Sequence, residues 1–157
     1  MTMKLMPGTK APGLKVAILD GTEWDLSQQN PSALTLIVVF RGLHCPICKD
    51  YLNDLNQKMD EFRQLGVDPI AVSVETKERA EKLYADWGIE NVPVGYGLMV
   101  EQMRDWGVYI SPKAFENEPP FFAEPALFMV QPGGTLYHVA IMNAPYGRPP
   151  LTEFWAD

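Results

Sequence analysis

The sequence predicts an α/β domain with a partly parallel sheet. Three observations carry that expectation. Residues 34–40 (LTLIVVF) are apolar and rich in β-branched side chains, the pattern of a strand buried on both faces. Behind them Cys48, Leu52, Leu55, Met59 and Phe62 recur at spacings of four, three, four and three, which is one face of an amphipathic helix. Residues 67–74 (VDPIAVSV) and then 76–87 repeat the strand-then-helix order. A strand, a helix and a second strand in succession imply a right-handed parallel crossover.

The elements follow in order. Residues 1–13 read as a loop, with Pro7-Gly8 and Pro12-Gly13 as turn markers. Residues 14–19 alternate loosely as a strand, Asp20-Gly21 is a turn, and residues 22–26 return as the second arm of a hairpin. Residues 27–32 are polar, contain Pro31 and form a loop. The central strand, a turn and the first long helix occupy about residues 34–65, and Gly66 ends the helix. Pro69 is tolerable near the start of the next strand. Thr76 caps a helix whose inner face is Ala80, Leu83, Tyr84 and Trp87, and Gly88 ends it. Residues 91–98 are irregular, with Pro93, Gly95 and Gly97, and a short helix follows at 99–106. Residues 110–124 read as a long Pro-rich loop, a functional cover or a mobile segment, in which Phe121-Phe122 would form an apolar wall over Cys45 or else fill core. Residues 126–130 are a strand, 131–134 a turn and 135–142 its partner arm. A loop at 143–150 and the start of a helix at 151–157 complete the chain. With no internal repeat, low-complexity tract or linker, residues 1–157 read as one domain.

Composition narrows the function. The chain is 46% hydrophobic and 21% charged, ordinary for a globular protein. A net charge of −7 argues against nucleic acid or an anionic membrane surface, both of which reward Lys and Arg. No stretch is long and apolar enough to span a membrane, and the first residues carry no signal-peptide core, so a cytoplasmic location is expected. The two cysteines, Cys45 and Cys48, lie together as CxxC, which in that setting points to a working dithiol. Tetrahedral zinc needs four ligands, and two cysteines with two histidines are a poor set, so no metal or other cofactor is expected.

The position of the pair has chemical consequences. It lies where a strand turns into a helix, and Pro46 suits the first turn, where an N–H is unpaired in any case. A thiolate there faces unpaired N–H groups and the positive end of the helix dipole, which lowers its pKa. Cys45 gains most, and Arg41 and a protonated His44 would add to the effect. Cys48, one turn in, is placed to attack a sulfur bonded to Cys45. Cys45 is therefore the expected nucleophile and Cys48 the expected resolving thiol.

A strand, CxxC, a helix, a further βα unit, then X-Pro, a strand, a Gly-containing turn and a strand resemble the thioredoxin-like fold, a central mixed sheet flanked by helices. The chain resembles the alkyl hydroperoxide reductase/thiol-specific antioxidant (peroxiredoxin-like) family of that fold. The resemblance rests on Gly8-Thr9-Lys10-Ala11-Pro12, Val38-Val39-Phe40-Arg41-Gly42, Cys45-Pro46-Ile47-Cys48, Trp106-Gly107-Val108, Pro125-Ala126-Leu127-Phe128 and Gln131-Pro132-Gly133-Gly134. It implies that Pro125 is a cis-proline packed beside the dithiol. It also marks two departures. Typical peroxiredoxins carry Thr or Ser three residues before the peroxidatic cysteine, where this chain has Gly42, and the second arginine of that site has Arg41 and Arg148 as its candidates. Thioredoxins carry a buried acid where this chain has Val39. His44, Arg41 and Glu124 are the candidates to substitute for the missing groups.

The expected function is that of a thiol-dependent antioxidant, with the Cys45/Cys48 dithiol reducing a peroxide and a cellular thiol resetting the pair. The alternatives are a thioredoxin-type protein disulfide oxidoreductase and a non-enzymatic dithiol redox sensor. A homodimer is left open by the unfinished last helix, whose apolar face a second copy would cover.

Overall fold

The computed structural model describes residues 5–143 and residue 151. In those residues the order is β1 (Lys15–Ile18), β2 (Glu23–Asp25), β3 (Leu34–Val39), α1 (Pro46–Gln57), α2 (Met59–Gln64), β4 (Val67–Val72), α3 (Lys77–Asp86), β5 (Val94–Tyr96), α4 (Val100–Asp105), β6 (Ile110–Pro112), β7 (Phe121–Ala123), β8 (Ala126–Val130) and β9 (Leu136–Ile141). A seven-stranded mixed sheet runs β2-β1-β5-β4-β3-β8-β9. β3 is central: it pairs in parallel with β4, Val39 opposite Val72, and antiparallel with β8, Val39 opposite Ala126.

Period-2 alternation sends the side chains of this sheet into two cores. Leu36, Val38, Ala71, Leu127 and Met129 face α1, α2 and α3, where Leu52, Leu55, Met59, Phe62 and Leu83 are buried. Ile37, Val39, Ile70, Val72 and Phe128 face α4 and the N-terminal segment. There the Trp106 indole N–H donates to the Gly13 carbonyl at 3.1 Å, and its ring meets Phe128 edge-on.

The first long helix is interrupted at Lys58, which separates α1 from α2. The apolar stripe continues across the break, with Leu52, Leu55, Met59 and Phe62 at most 1% exposed. Burying such side chains is worth about 1.5–3 kcal/mol each. Irregular hydrogen bonding at one residue costs about 1 kcal/mol, so packing decides the path. Thr76 caps α3 as expected, its side chain accepting the Arg79 N–H.

Two expectations are corrected. Residues 94–96 form β5, parallel to β4 and antiparallel to β1. Gly95 looks like a turn residue in the sequence, but it is needed because a Cβ there would lie 2.8 Å from Val16 Cγ2. Residues 110–124 are not one loop: β6 and β7 pair as a separate two-stranded sheet, Ser111 opposite Phe122, with residues 113–120 between them. Leu151 packs into the first core. The expected loop at 143–150, all but its first residue, and the helix expected beyond residue 151 lie outside the described residues, as does Arg148. Among the described residues no helix is long and apolar enough to cross a membrane.

Candidate functional site

The chain leaves the sheet at Phe40, whose N–H donates to the Val72 carbonyl at 3.0 Å. Residues 41–44 then turn tightly, the Cys45 N–H reaching the Gly42 carbonyl at 3.2 Å. Cys45 is the N-cap of α1, and its sulfur accepts the Cys48 N–H at 3.2 Å. Pro46 follows at the first helical position. The pair therefore lies at the end of the central strand, with the nucleophile candidate facing the positive end of a twelve-residue helix. Both thiols are buried, Cys45 2% exposed and Cys48 0%, and no disulfide joins them.

Around them the fold gathers groups from four segments. The Arg41 Nε lies 3.2 Å from Glu124 Oε1, and its Nη2 lies 3.9 Å from Glu118 Oε2. The guanidinium also stacks over the Phe122 ring, 4.7 Å from its centroid. The Ser111 hydroxyl donates to the other Glu124 oxygen at 2.6 Å. Glu118 Oε1 accepts the N–H groups of Ala114 and Phe115 at 2.7 and 2.9 Å. Burial pushes the Glu118 pKa up. These two hydrogen bonds, with His44 and Arg41 beside it, more than offset that, and the net direction is down. Glu118 is thus a carboxylate at neutral pH.

His44 is deeply buried, its Nε2 3.8 Å from Glu118 Oε2 and its ring edge-on to Phe122 at 4.8 Å. Neither ring nitrogen has a hydrogen-bond partner. Burial, then the Arg41 charge, lower its pKa, against the opposing pull of Glu118 and Glu75. The imidazole is therefore neutral at neutral pH and adds no positive charge to the site.

Glu75, just beyond β4, is 1% exposed. Its Oε2 accepts the Leu43 N–H at 2.7 Å and its Oε1 the Arg79 Nε–H at 2.8 Å. A Cβ on Gly42 would sit 2.8 Å from that Oε2, and Gly42 has φ +137°. The departure at position 42 thus has a local cause: a buried carboxylate fills the space a side chain would need.

Cys45 opens onto a cleft of about 370 Å³ shared with Arg41, His44, Pro46, Ile47, Phe115, Asn117 and Glu118. A cavity of similar size at the far end of β3, beside Thr35, holds neither cysteine nor histidine. Among the described residues no three His, Cys, Asp or Glu side chains form a metal-binding group.

Of the sequence-predicted residues, Arg41, His44 and Glu124 are brought together near Cys45. Pro125 is the next residue after Glu124 and, by the β3–β8 register, lies beside Phe40. Its peptide bond is trans, as is every one among the described residues, which corrects the cis expectation. The Glu124 N–H to Tyr109 and the Pro125 carbonyl to Met142 tie this junction down on both sides, and trans is the intrinsically preferred isomer. The expected Phe121-Phe122 wall is also corrected. Phe122 is buried under Arg41 and His44, whereas Phe121 lines a neighbouring hollow with Glu75 and Arg79. The exposed aromatic on the Cys45 cleft is Phe115, 69% exposed, which the sequence pattern did not single out. Glu75 and Glu118 were missed as well. An isolated Glu in a polar stretch carries no sign that tertiary structure will bury it.

Comparisons place this geometry among known proteins. The fold is similar to a peroxiredoxin-like protein from Aquifex aeolicus, with TM-score 0.77 and 22% identity over 96% of this chain and 84% of that one. It is similar to a mutant of the peroxiredoxin 6 of Arenicola marina, with TM-score 0.75 and 18% identity over 93% and 69%. The reduced 2-Cys peroxiredoxin of Plasmodium vivax gives 0.70 and 19% over 92% and 89%. No curated protein sequence matches significantly. The model of the AhpC/TSA family matches residues 7–139, and with Cys45 seated at the head of α1 in a mixed sheet of this topology, the chain belongs to the AhpC/TSA family.

Proposed function

We propose that the protein is a thiol peroxidase in which Cys45 attacks a peroxide and Cys48 resolves the product. The observation that carries this reading is Cys45 itself: a helix N-cap whose sulfur accepts an N–H, at the floor of a cleft that also holds a guanidinium and a neutral imidazole. The helix end and the hydrogen bond favour a charged sulfur. A sulfur 2% exposed is within reach of a small peroxide, whereas a disulfide on a folded protein needs a more open nucleophile. Family membership supports the same class of chemistry.

The Cys45 thiolate attacks one peroxide oxygen, the O–O bond breaks, and the other oxygen leaves as an alkoxide that takes up a proton. Cys45 is now a sulfenic acid. The Cys48 thiol condenses with it, forming a disulfide and releasing water, and a cellular dithiol reduces that disulfide. Residues three apart on a helix have Cβ atoms about 5–6 Å apart, and a disulfide needs about 3.5–4.5 Å, so closing the Cys45–Cys48 bond draws the first turn of α1 in by about 1–2 Å. Arg41 is assigned to position the peroxide oxygens. His44, with no hydrogen-bond partner of its own, is assigned to bond the departing oxygen. Glu124 and Pro125 hold Arg41 and the junction behind it.

The test is the rate of sulfenic acid formation at Cys45 in the Cys48→Ser protein under stoichiometric hydrogen peroxide, against a small free thiol at equal thiolate concentration. A rate far above the reference is expected. A matching rate would mean an acidic thiol without a peroxide site. The CxxC arrangement would then favour disulfide exchange as the activity.

A further inference from the structure

Resting on the peroxidase reading, we propose that the cleft admits uncharged peroxides and rejects anionic ones, and that Glu118 is the residue that sets this selection. The two arginines of the site, Arg41 and Arg79, already face carboxylates. Arg41 faces Glu124 through Nε at 3.2 Å and Glu118 through Nη2 at 3.9 Å. Arg79 donates to Glu75 at 2.8 Å and to the Asn117 carbonyl at 3.0 Å. The head of α1 gives the Cys48 N–H to the Cys45 sulfur. His44 is neutral, because burial outweighs its carboxylate neighbours.

Two arginines are thus set against three buried carboxylates, Glu75, Glu118 and Glu124, and against the reacting thiolate. Glu118 is the carboxylate that lines the cleft together with Cys45. Its side chain is 5% exposed, so solvent screens it little. It is held in place by two backbone N–H groups, which also keep it ionised. A substrate carrying its own negative charge meets this carboxylate, and among the described residues the guanidinium that lines the cleft, Arg41, is already balanced by Glu118 and Glu124. An uncharged hydroperoxide meets no such barrier, and the exposed Phe115 ring at the cleft mouth offers an apolar surface to its organic part.

The experiment uses two probes of nearly equal size that differ chiefly in charge: a short tertiary hydroperoxide bearing a carboxylate, and its methyl ester. Oxidation of Cys45 is timed with each in the Cys48→Ser protein. The ester is expected to react at least roughly tenfold faster, a floor well below the full effect of one like-charge contact at intermediate dielectric. Glu118→Gln keeps an acceptor for Ala114 and Phe115 and is expected to narrow the ratio. Rising salt is expected to narrow it in the protein with Glu118 intact, a readout that does not depend on the variant's folding. Equal rates for the two probes, or a faster acid, would overturn the proposal while leaving the peroxidase reading in place. Rates no higher than those of a free thiol with both probes would overturn both.

Discussion

The Glu75 carboxylate occupies the space that a side chain at Gly42 would need. The Leu43 N–H donates to Glu75 Oε2 at 2.7 Å, and a Cβ on Gly42 would come within 2.8 Å of the same oxygen. The loop that carries Cys45 and the turn after β4 are therefore built as one unit, and the small residue at 42 is a condition of the buried acid at 75.

Placing a hydroxyl at position 42, as typical peroxiredoxins do, is accordingly expected to harm this protein. Gly42→Thr has to adopt φ near +137° and displace a hydrogen-bonded carboxylate. The backbone strain alone is worth about 1–3 kcal/mol. Urea unfolding should show that loss or more, and the rate of Cys45 oxidation should fall. A gain in rate would mean that the loop repacks and that Glu75 has no hold on it.

Glu75→Ala removes the acceptor from a buried N–H at Leu43 and releases Arg79. An orphaned buried donor costs about 1–3 kcal/mol. Glu75→Gln keeps an acceptor and is expected to recover much of this in urea unfolding. In the double variant Gly42→Ala/Glu75→Ala the clash is gone, so the two losses should sum to more than the measured total. Simple additivity would show that the two residues are not coupled.

The contrast between what was legible in the sequence and what was not follows the range of the interactions. β3, the helix stripe from Cys48 to Phe62, and the Thr76 cap are local patterns, and each was read correctly because period and capping are written in neighbouring residues. β5, β6 and β7 are three residues each, too short to show a period, with a Gly inside β5 and a Pro in β6, and only their pairing makes them strands. In the site, Cys45 and Cys48 announce themselves by spacing, and Arg41 and His44 by adjacency. Glu118 and Phe115 arrive on the 113–120 connection, and Glu75 follows β4, so their roles exist only once the sheet has assembled.

Acid is expected to destabilise the fold in two stages. His44 has a lowered folded pKa, chiefly from burial, so between that value and its ordinary 6.5 the unfolded chain binds more protons than the folded one. Its contribution is intact above 6.5 and is lost as the pH falls through that window. Glu118 also has a lowered folded pKa, so its contribution is present above the ordinary 4.5 and is lost as the pH falls below it. Thermal melts across this range should show the first decline in the parent protein and a weaker one in His44→Gln. An undiminished decline near 6.5 in His44→Gln would assign the titration to another group.

Cys48 is expected to protect Cys45 from irreversible oxidation. Its sulfur is one helical turn from Cys45 and fully buried, so the sulfenic acid has a thiol partner inside the protein before a second peroxide arrives. In Cys48→Ser that partner is gone, and the sulfenic acid persists in the same cleft. Under excess peroxide the variant should accumulate the two-oxygen sulfinic product at Cys45, read as a mass increase that thiol reductants do not reverse. The parent protein should instead lose two hydrogens in a change that thiol reductants reverse. Equal sulfinic accumulation in both proteins would mean that condensation with Cys48 is slower than the second oxidation. The resolving thiol would then have to come from a separate molecule.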